Sequence, residues 1–453
     1  MGAWPAWEVL AVVAVTVLAL ALRLNRLADA PIFTDNLDEI QFTWAGLNLI
    51  LHGDPITWSY ANYPANEAVT AFGVTVPVVH HWMDHPPLFS LMMGGWVRLL
   101  GVRDMFTFTP FQVRLVPVAC SVLTVPLAYL LSRRLVGWRA ALCGALLLAT
   151  APGAVLFGRQ VEPEAPQAVL LLVSLLLTLR MVDGRGGPWT MAGLLLIAVA
   201  APLFKVSGMA IPGICAVILA ASDRWRLAGA LAVSGVLGLL LFVVYGAIID
   251  WAQFVRIWGT QTSYRIGVMS AFDFITDPSG LNRRMRDGWW VLGWIGLGML
   301  VGRRGGRREL FVVWPAAAYA ATMLVLAGER QVEMYGWYKV IIYPELYLAA
   351  GWLAWEAVNR RSLGLLTLVL VLGGATATNW WLGAPPTGTW VPNPLLLCLL
   401  IAAVLGPAVL LLWRRNEPTY QRLAPWAAGV ALLLMIVGNT MESLQLDRIF
   451  YRL

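Results

Sequence analysis

Apolar runs long enough to cross a bilayer recur along the whole chain, and charges are confined to the gaps between them. The runs fall near 6–24, 111–132, 138–157, 165–182, 189–203, 207–221, 226–248, 288–302, 310–327, 338–357, 362–378, 392–413 and 423–439. A helix needs about 20 apolar residues to span a bilayer, and several runs sit a little below that length. Of the 453 residues, 59% are hydrophobic and 13% charged, against roughly 25% charged in an ordinary soluble domain. A polytopic membrane protein follows, and the sequence shows no soluble domain, low-complexity linker or repeat. The net charge of +7 is carried by short loops, so it speaks for topology and anionic lipid rather than nucleic acid.

Parity gives the arrangement. Arginine-rich connections occur at Arg133-Arg134, Asp183-Gly184-Arg185, Asp223 to Arg226, Arg303 to Arg308, Arg360-Arg361 and Arg414-Arg415. The positive-inside rule places them all in the cytoplasm. They share one side only if the 111–132 helix enters from outside, so residues 31–110 are one external loop. The apolar run Leu88 to Leu100 then lies in the interface instead of crossing. The expectation is about thirteen spans, N-terminus cytoplasmic, C-terminus outside, in a plasma membrane. The first helix is expected to be retained: Glu8 and the lack of a basic start argue against a signal peptide, despite Ala28-Asp29-Ala30. Cys120, Cys143, Cys215 and Cys398 all lie in apolar runs with no metal or redox spacing, and read as small core residues.

This topology gathers the sparse polar chemistry on the outer face. Asp35, Asp38 and Glu39 follow the first span. Leu37, Ile40, Trp44, Leu47 and Leu51 share one stripe, which predicts an amphipathic helix there. Asn36 with Glu39 three residues on resembles a capping box, and Asp38 is left to face a cavity. All four histidines lie in the same loop, with Asp84-His85-Pro86-Pro87 opening the interfacial helix. Whether a divalent metal takes part is open, with Asp38, Asp84 and His85 the candidate ligands. Arg159, Glu162 and Glu164 stand at the outer ends of two spans. The only two lysines, Lys205 and Lys339, sit at outward-facing helix ends, Lys339 directly after Tyr338. Residues 249–286 read as an external cover loop whose arginines, Arg265 among them, lie on the unusual side for topology. Each feature also has a plainer reading: helix caps, snorkelling lysines, interfacial anchors.

An external carboxylate among cations in a hydrophobic scaffold suits a lipid-linked, phosphate-bearing substrate. The acid deprotonates an acceptor hydroxyl, and cations or a metal hold the departing phosphate. No glycine-rich nucleotide loop occurs in a usable context.

At these residues the chain resembles the GT-C glycosyltransferases of the protein O-mannosyltransferase and aminoarabinose-transferase group, families 39 and 83. Asp38-Glu39 is similar to that group's DE pair, and Gly53-Asp54 to a Gly-Asp after it. His85-Pro86-Pro87-Leu88 matches its HPPL. Arg114-Leu115-Val116-Pro117 resembles an Arg-Leu-Pro run. Arg159 to Pro166 resembles Arg-x4-Asp-Ala-Pro with Glu164 for Asp. Lys205 and Tyr343-Pro344 also have counterparts. The resemblance covers residues 1 to about 357 and implies an inverting transferase with a polyprenyl-phosphate sugar donor.

The expected fold is thus an all-α polytopic GT-C membrane protein. Residues 1–378 form the catalytic transmembrane module, and 379–453 a C-terminal transmembrane pair. Asp38 and Glu39 are the expected catalytic residues. His85, Arg159, Glu164, Lys205, Arg265, Tyr338 and Lys339 are the expected donor-phosphate or substrate contacts. The acceptor is a hydroxyl of a glycan, lipid or protein. The rival reading is a lipid-sugar flippase, for which mid-membrane charges and inverted repeats are expected.

Overall fold

A computed structural model describes residues 4–446 apart from 62, 65–66, 266–287, 303–309, 327–335, 361 and 382–417. The expected run at 392–413, the arginine connections at 303–308 and 414–415, and Cys398 lie outside the described residues. Elsewhere the apolar runs become helices. Helix α1 spans Ala6–Leu24, α4 Pro110–Val136, α5 Trp138–Thr150, α6 Pro152–Phe157, α7 Glu164–Val182, α8 Pro188–Phe204 and α9 Ala210–Ala220. Helix α10 spans Trp225–Arg265, α11 Gly288–Val301, α12 Leu310–Leu326, α13 Tyr343–Asn359, α14 Leu363–Trp381 and α15 Pro418–Leu444. Short 3₁₀ turns at Val206–Met209 and Gly336–Ile342 precede α9 and α13. Among the described residues, four helices (α1, α4, α7 and the apolar part of α10) are long and apolar enough to cross a membrane, and several shorter apolar helices accompany them. The chain is a multi-pass membrane protein.

One large apolar core is shared by α1, α4–α9 and α11–α15. Helices α5 and α13 meet in it at backbone distance. A Cβ on Gly351 would lie 2.2 Å from the Gly144 backbone nitrogen, so both glycines are needed for the two backbones to touch, as small residues allow in membrane packing. The far end of α15 docks on this core: Ser443 donates to the Thr150 carbonyl at 2.8 Å, and the Trp289 indole donates to Asn439 at 3.3 Å.

Two expectations are corrected here. The chain is not wholly α-helical. Residues 31–110 hold helices α2 (Asp38–His52) and α3 (Pro87–Leu99), and between them strands β1 (Thr57–Trp58), β2 (Glu67–Ala71) and β3 (Val74–Val79). The sheet is antiparallel in the order β1-β3-β2, with Ala71 opposite Val74. Phe72 and Gly73 make the two-residue turn, both at positive φ (52° and 82°), which is the hairpin geometry that matches strand twist. Strand formers Val69, Thr70, Val74, Thr75, Val76, Val78 and Val79 explain the choice. This segment has its own core of Trp44, Leu47, Val76, Val79, Phe89, Val97 and Phe108, closed by Val113, Val161 and Ile257 from elsewhere in the chain. The second correction is that residues 249–265 are not loop. They continue α10 past a break at Asp250 (φ −165°, ψ 101°), where Asp250 Oδ1 accepts the Gln253 N–H at 2.9 Å and restarts the helix.

Candidate functional site

The site forms where the N-terminus of α2 meets the Gly158–Pro163 connection between α6 and α7. Helix α2 is held on α3 by a backbone contact: a Cβ on Gly46 would sit 1.7 Å from the Ser90 carbonyl oxygen. Strand β1 grips its other side. Thr57 donates to the Gln41 carbonyl, Gln41 to the Trp58 carbonyl, and the Trp58 indole to the Leu37 carbonyl, at 2.8, 2.9 and 2.8 Å. Asp38, the first residue of α2, therefore rests on a clamped turn. It is half-buried, whereas Asp35 is exposed.

Glu39 does not cap the helix. The N-cap is Leu37, with no side-chain bond. The Glu39 carboxylate lies fully buried against Arg114, which donates through Nε at 3.1 Å to each oxygen and through Nη2 at 2.8 Å to Oε2. Arg114 Nη1 also donates to the Leu27 carbonyl, and the Val161 N–H donates to Glu39 Oε1 at 3.3 Å. Burial pushes the Glu39 carboxyl up, and Arg114 pulls it back. A guanidinium inside an apolar span must find a fixed anion, and Glu39 is that anion. Arg114 belongs to the site's frame and escaped the sequence reading as a site residue. Its signal was a lone charge inside the 111–132 run.

On the facing connection, Arg159 is buried and donates to the carbonyls of Ala30 (3.1 Å) and Leu22, tying the end of α1 and the following turn to α6. Glu162, also buried, accepts from Asn36 Nδ2 at 2.8 Å. Burial, then the nearby charges of Asp38 and Glu164, push the Glu162 carboxyl well up, while Lys205 acts the other way. Glu164 opens α7 and pairs with Lys205 Nζ at 2.5 Å, leaving its Oε2 buried without a hydrogen bond among the described residues. Lys205 stands at an extended break (φ −164°) after α8, and its ammonium lies 4.3 Å from the centre of the Tyr338 ring. Burial works against its charge, and Glu164, Tyr338 and Glu162 outweigh that.

Asp38, Glu162, Glu164, Lys205 and Tyr338 thus make one mixed-charge patch, framed by Glu39, Arg114 and Arg159. His85 is half-buried beside it, its ring 5.2 Å from Phe42 and 5.8 Å from Trp82. Phe42 lies one turn beyond Asp38. Lys339 points into the core instead, its ammonium 5.6 Å from the Trp290 ring. Arg265 ends α10, and its side chain lies outside the described residues. Asp84 is buried under two hydroxyls, Ser59 Oγ at 2.6 Å and Tyr63 OH at 2.9 Å. Two donors on one carboxylate suit a structural tie better than a metal ligand. Among the described residues, no group of three or more His, Cys, Asp and Glu side chains is arranged to hold a metal ion. Cys120, Cys143 and Cys215 are free thiols.

Comparison with known proteins bears on this arrangement. Residues 84–248 match the family model described as dolichyl-phosphate-mannose-protein mannosyltransferase. No curated protein sequence matches the chain. Among solved structures, ArnT from Cupriavidus metallidurans bound to undecaprenyl phosphate is similar at 18% identity and a TM-score of 0.57, over 98% of this chain and 77% of that one. Arabinosyltransferase EmbB from Mycobacterium smegmatis is similar at 18% identity and 0.57, over 99% and 42%. Oligosaccharyltransferase AglB from Archaeoglobus fulgidus, in complex with an inhibitory peptide and a dolichol-phosphate, is similar at 13% identity and 0.52, over 93% and 59%. In motif order, in the family-model match and in architecture alike, the chain has the GT-C fold.

Proposed function

We propose that the protein is an integral membrane glycosyltransferase. It moves a sugar from a polyprenyl-phosphate donor to a hydroxyl on a glycan, lipid or protein, at the extracytoplasmic face and with inversion. The observation that carries this reading is the half-buried Asp38, presented on a clamped turn beside the Glu164–Lys205 pair. Asp38 takes the proton of the acceptor hydroxyl as its oxygen bonds to the anomeric carbon. The bond from that carbon to the phosphate oxygen breaks, and its electron pair leaves with the polyprenyl phosphate. Lys205 stands where it meets that phosphate, with His85 at the rim. Tyr338 holds the lysine. Glu39 and Arg159 act through the backbone they fix, as positioning residues. Helices α2 and α3 lie at the membrane interface in this reading, among about thirteen spans. ArnT and AglB, the relatives bound to polyprenyl phosphates, are the support for the donor class.

The test is Asp38→Asn in purified protein, given undecaprenyl-phosphate-linked hexoses and pentoses with a cell-envelope extract as acceptor source. Release of undecaprenyl phosphate, followed by mass spectrometry, is expected to disappear while the melting curve stays unchanged. Turnover near the parent's would overturn the assignment. A flippase would move labelled lipid-sugar across vesicles without releasing lipid phosphate.

A further inference from the structure

Two residues of the turn that carries Asp38 reach across to two consecutive residues of the α6–α7 connection. Glu39 accepts the Val161 N–H at 3.3 Å, and Asn36 Nδ2 donates to Glu162 Oε1 at 2.8 Å. The same Asn36 amide turns its oxygen the other way, where Oδ1 accepts the Asp38 N–H at 3.2 Å. Asn36 and Glu162 are 5% and 2% exposed. Among described contacts, the Asp38 N–H has this side-chain acceptor in place of a cap from Leu37. The first N–H groups of a helix have no acceptor within the helix itself.

We infer that Glu162 is a positioning residue for the base: it orients the Asn36 amide, and that amide fixes the backbone at Asp38. The inference rests on Asp38 being the base. Take away the Glu162 oxygen, and the buried Asn36 amide loses the acceptor that decides which way round it sits. Its oxygen then turns away from Asp38, and the first turn of α2 loosens where the chemistry is placed. The groups facing Glu162 are Asn36 and Asp38 from the α2 side, Glu164 from α7 and Lys205 from the break after α8. Oε1 accepts from Asn36 in either protonation state, and so does the amide oxygen of glutamine. The link is therefore a matter of hydrogen-bond geometry, not of charge.

A polarity swap tests this. Glu162→Ala and Asn36→Ala are expected to lower kcat on the order of 10- to 100-fold, the usual result of a small displacement at a reacting group. The KM for the undecaprenyl-phosphate sugar is expected to hold, because neither residue meets the donor. Glu162→Gln keeps the acceptor and keeps most of the turnover. Asn36→Asp combined with Glu162→Gln reverses the donor and acceptor while preserving both bonds, and recovers most of the turnover that Asn36→Asp alone loses. Hydrogen exchange over residues 36–42 reads the same link without any substrate: protection falls in Glu162→Ala and returns in the swapped pair. Unchanged kcat and unchanged exchange in Glu162→Ala and Asn36→Ala overturn the inference, and so does a folded swapped pair no better than Asn36→Asp. If those variants keep full turnover while Asp38→Asn is dead, Asp38 stands as base and only the positioning link falls. If Asp38→Asn turns over, the base reading itself has failed.

Discussion

Asp38 and Glu39 are neighbours in sequence with opposite environments. A helix turns about 100° per residue, so consecutive side chains cannot share a face. Asp38 stays half-buried at the charged patch, and Glu39 is sealed on Arg114 with both side chains fully buried. Removing one partner of such a pair strands the other charge, at a cost of about 3–5 kcal/mol. Arg114→Met is therefore expected to lower the melting temperature strongly. The double change Glu39→Leu with Arg114→Met is expected to restore much of that stability but not the turnover, because the Val161 N–H still lacks its acceptor. Thermal unfolding in detergent and lipid-phosphate release, measured on the same samples, check the two halves. The carboxylates themselves were legible in the sequence. The partner that Glu39 takes was not, because Arg114 lies 75 positions away.

Helix α2 shows how an element built from weak signals is fixed by its neighbours. Its stripe of Leu37, Ile40, Trp44, Leu47 and Leu51 was readable, as were the prolines opening α3. The hairpin between them was less so, since one short apolar strand pair hides easily among spans. Close approach of α2 and α3 depends on Gly46, where a Cβ would lie 1.7 Å from the Ser90 carbonyl. Gly46→Ala is expected to destabilise the protein by about 1–3 kcal/mol or more, because backbone must move to admit it. Gly229→Ala on α10 is the control: its Cβ meets nothing within 4 Å. Equal melting temperatures for the two variants would contradict this packing. Helix α10 adds a tie from the far side, with Gln253 donating to the carbonyls of His80 and His81 and Trp258 to that of Met83. The segment read as a cover loop is thus, over its first part, a strut against the Asp84-His85 loop.

At the scale of the molecule, the proposed topology puts residues 31–110 outside the cell. A cysteine at Tyr60, whose side chain is well exposed, placed in a cysteine-free background, is expected to react with a membrane-impermeant maleimide in intact cells. A cysteine at Arg185, in an arginine-rich connection, is expected to react only after permeabilisation. The opposite pattern would invert the assignment. Sequence by itself determined the membrane class, most helix boundaries and the chemical types gathered at the site. Those follow from hydropathy and residue chemistry, which act locally: a bilayer accepts only self-satisfied helices, and charges collect where water is. Only the tertiary structure decided the pairings. It matched Arg114 to Glu39, Lys205 to Glu164 and Asn36 to Glu162, and left Asp38 at the patch. The reason is physical: burying a charge is tolerable only beside a specific partner, and which partner arrives depends on how distant helices pack. The acidic turn after the first span announced itself in the sequence. Its division into one presented acid and one frame acid came from the helices that close around it.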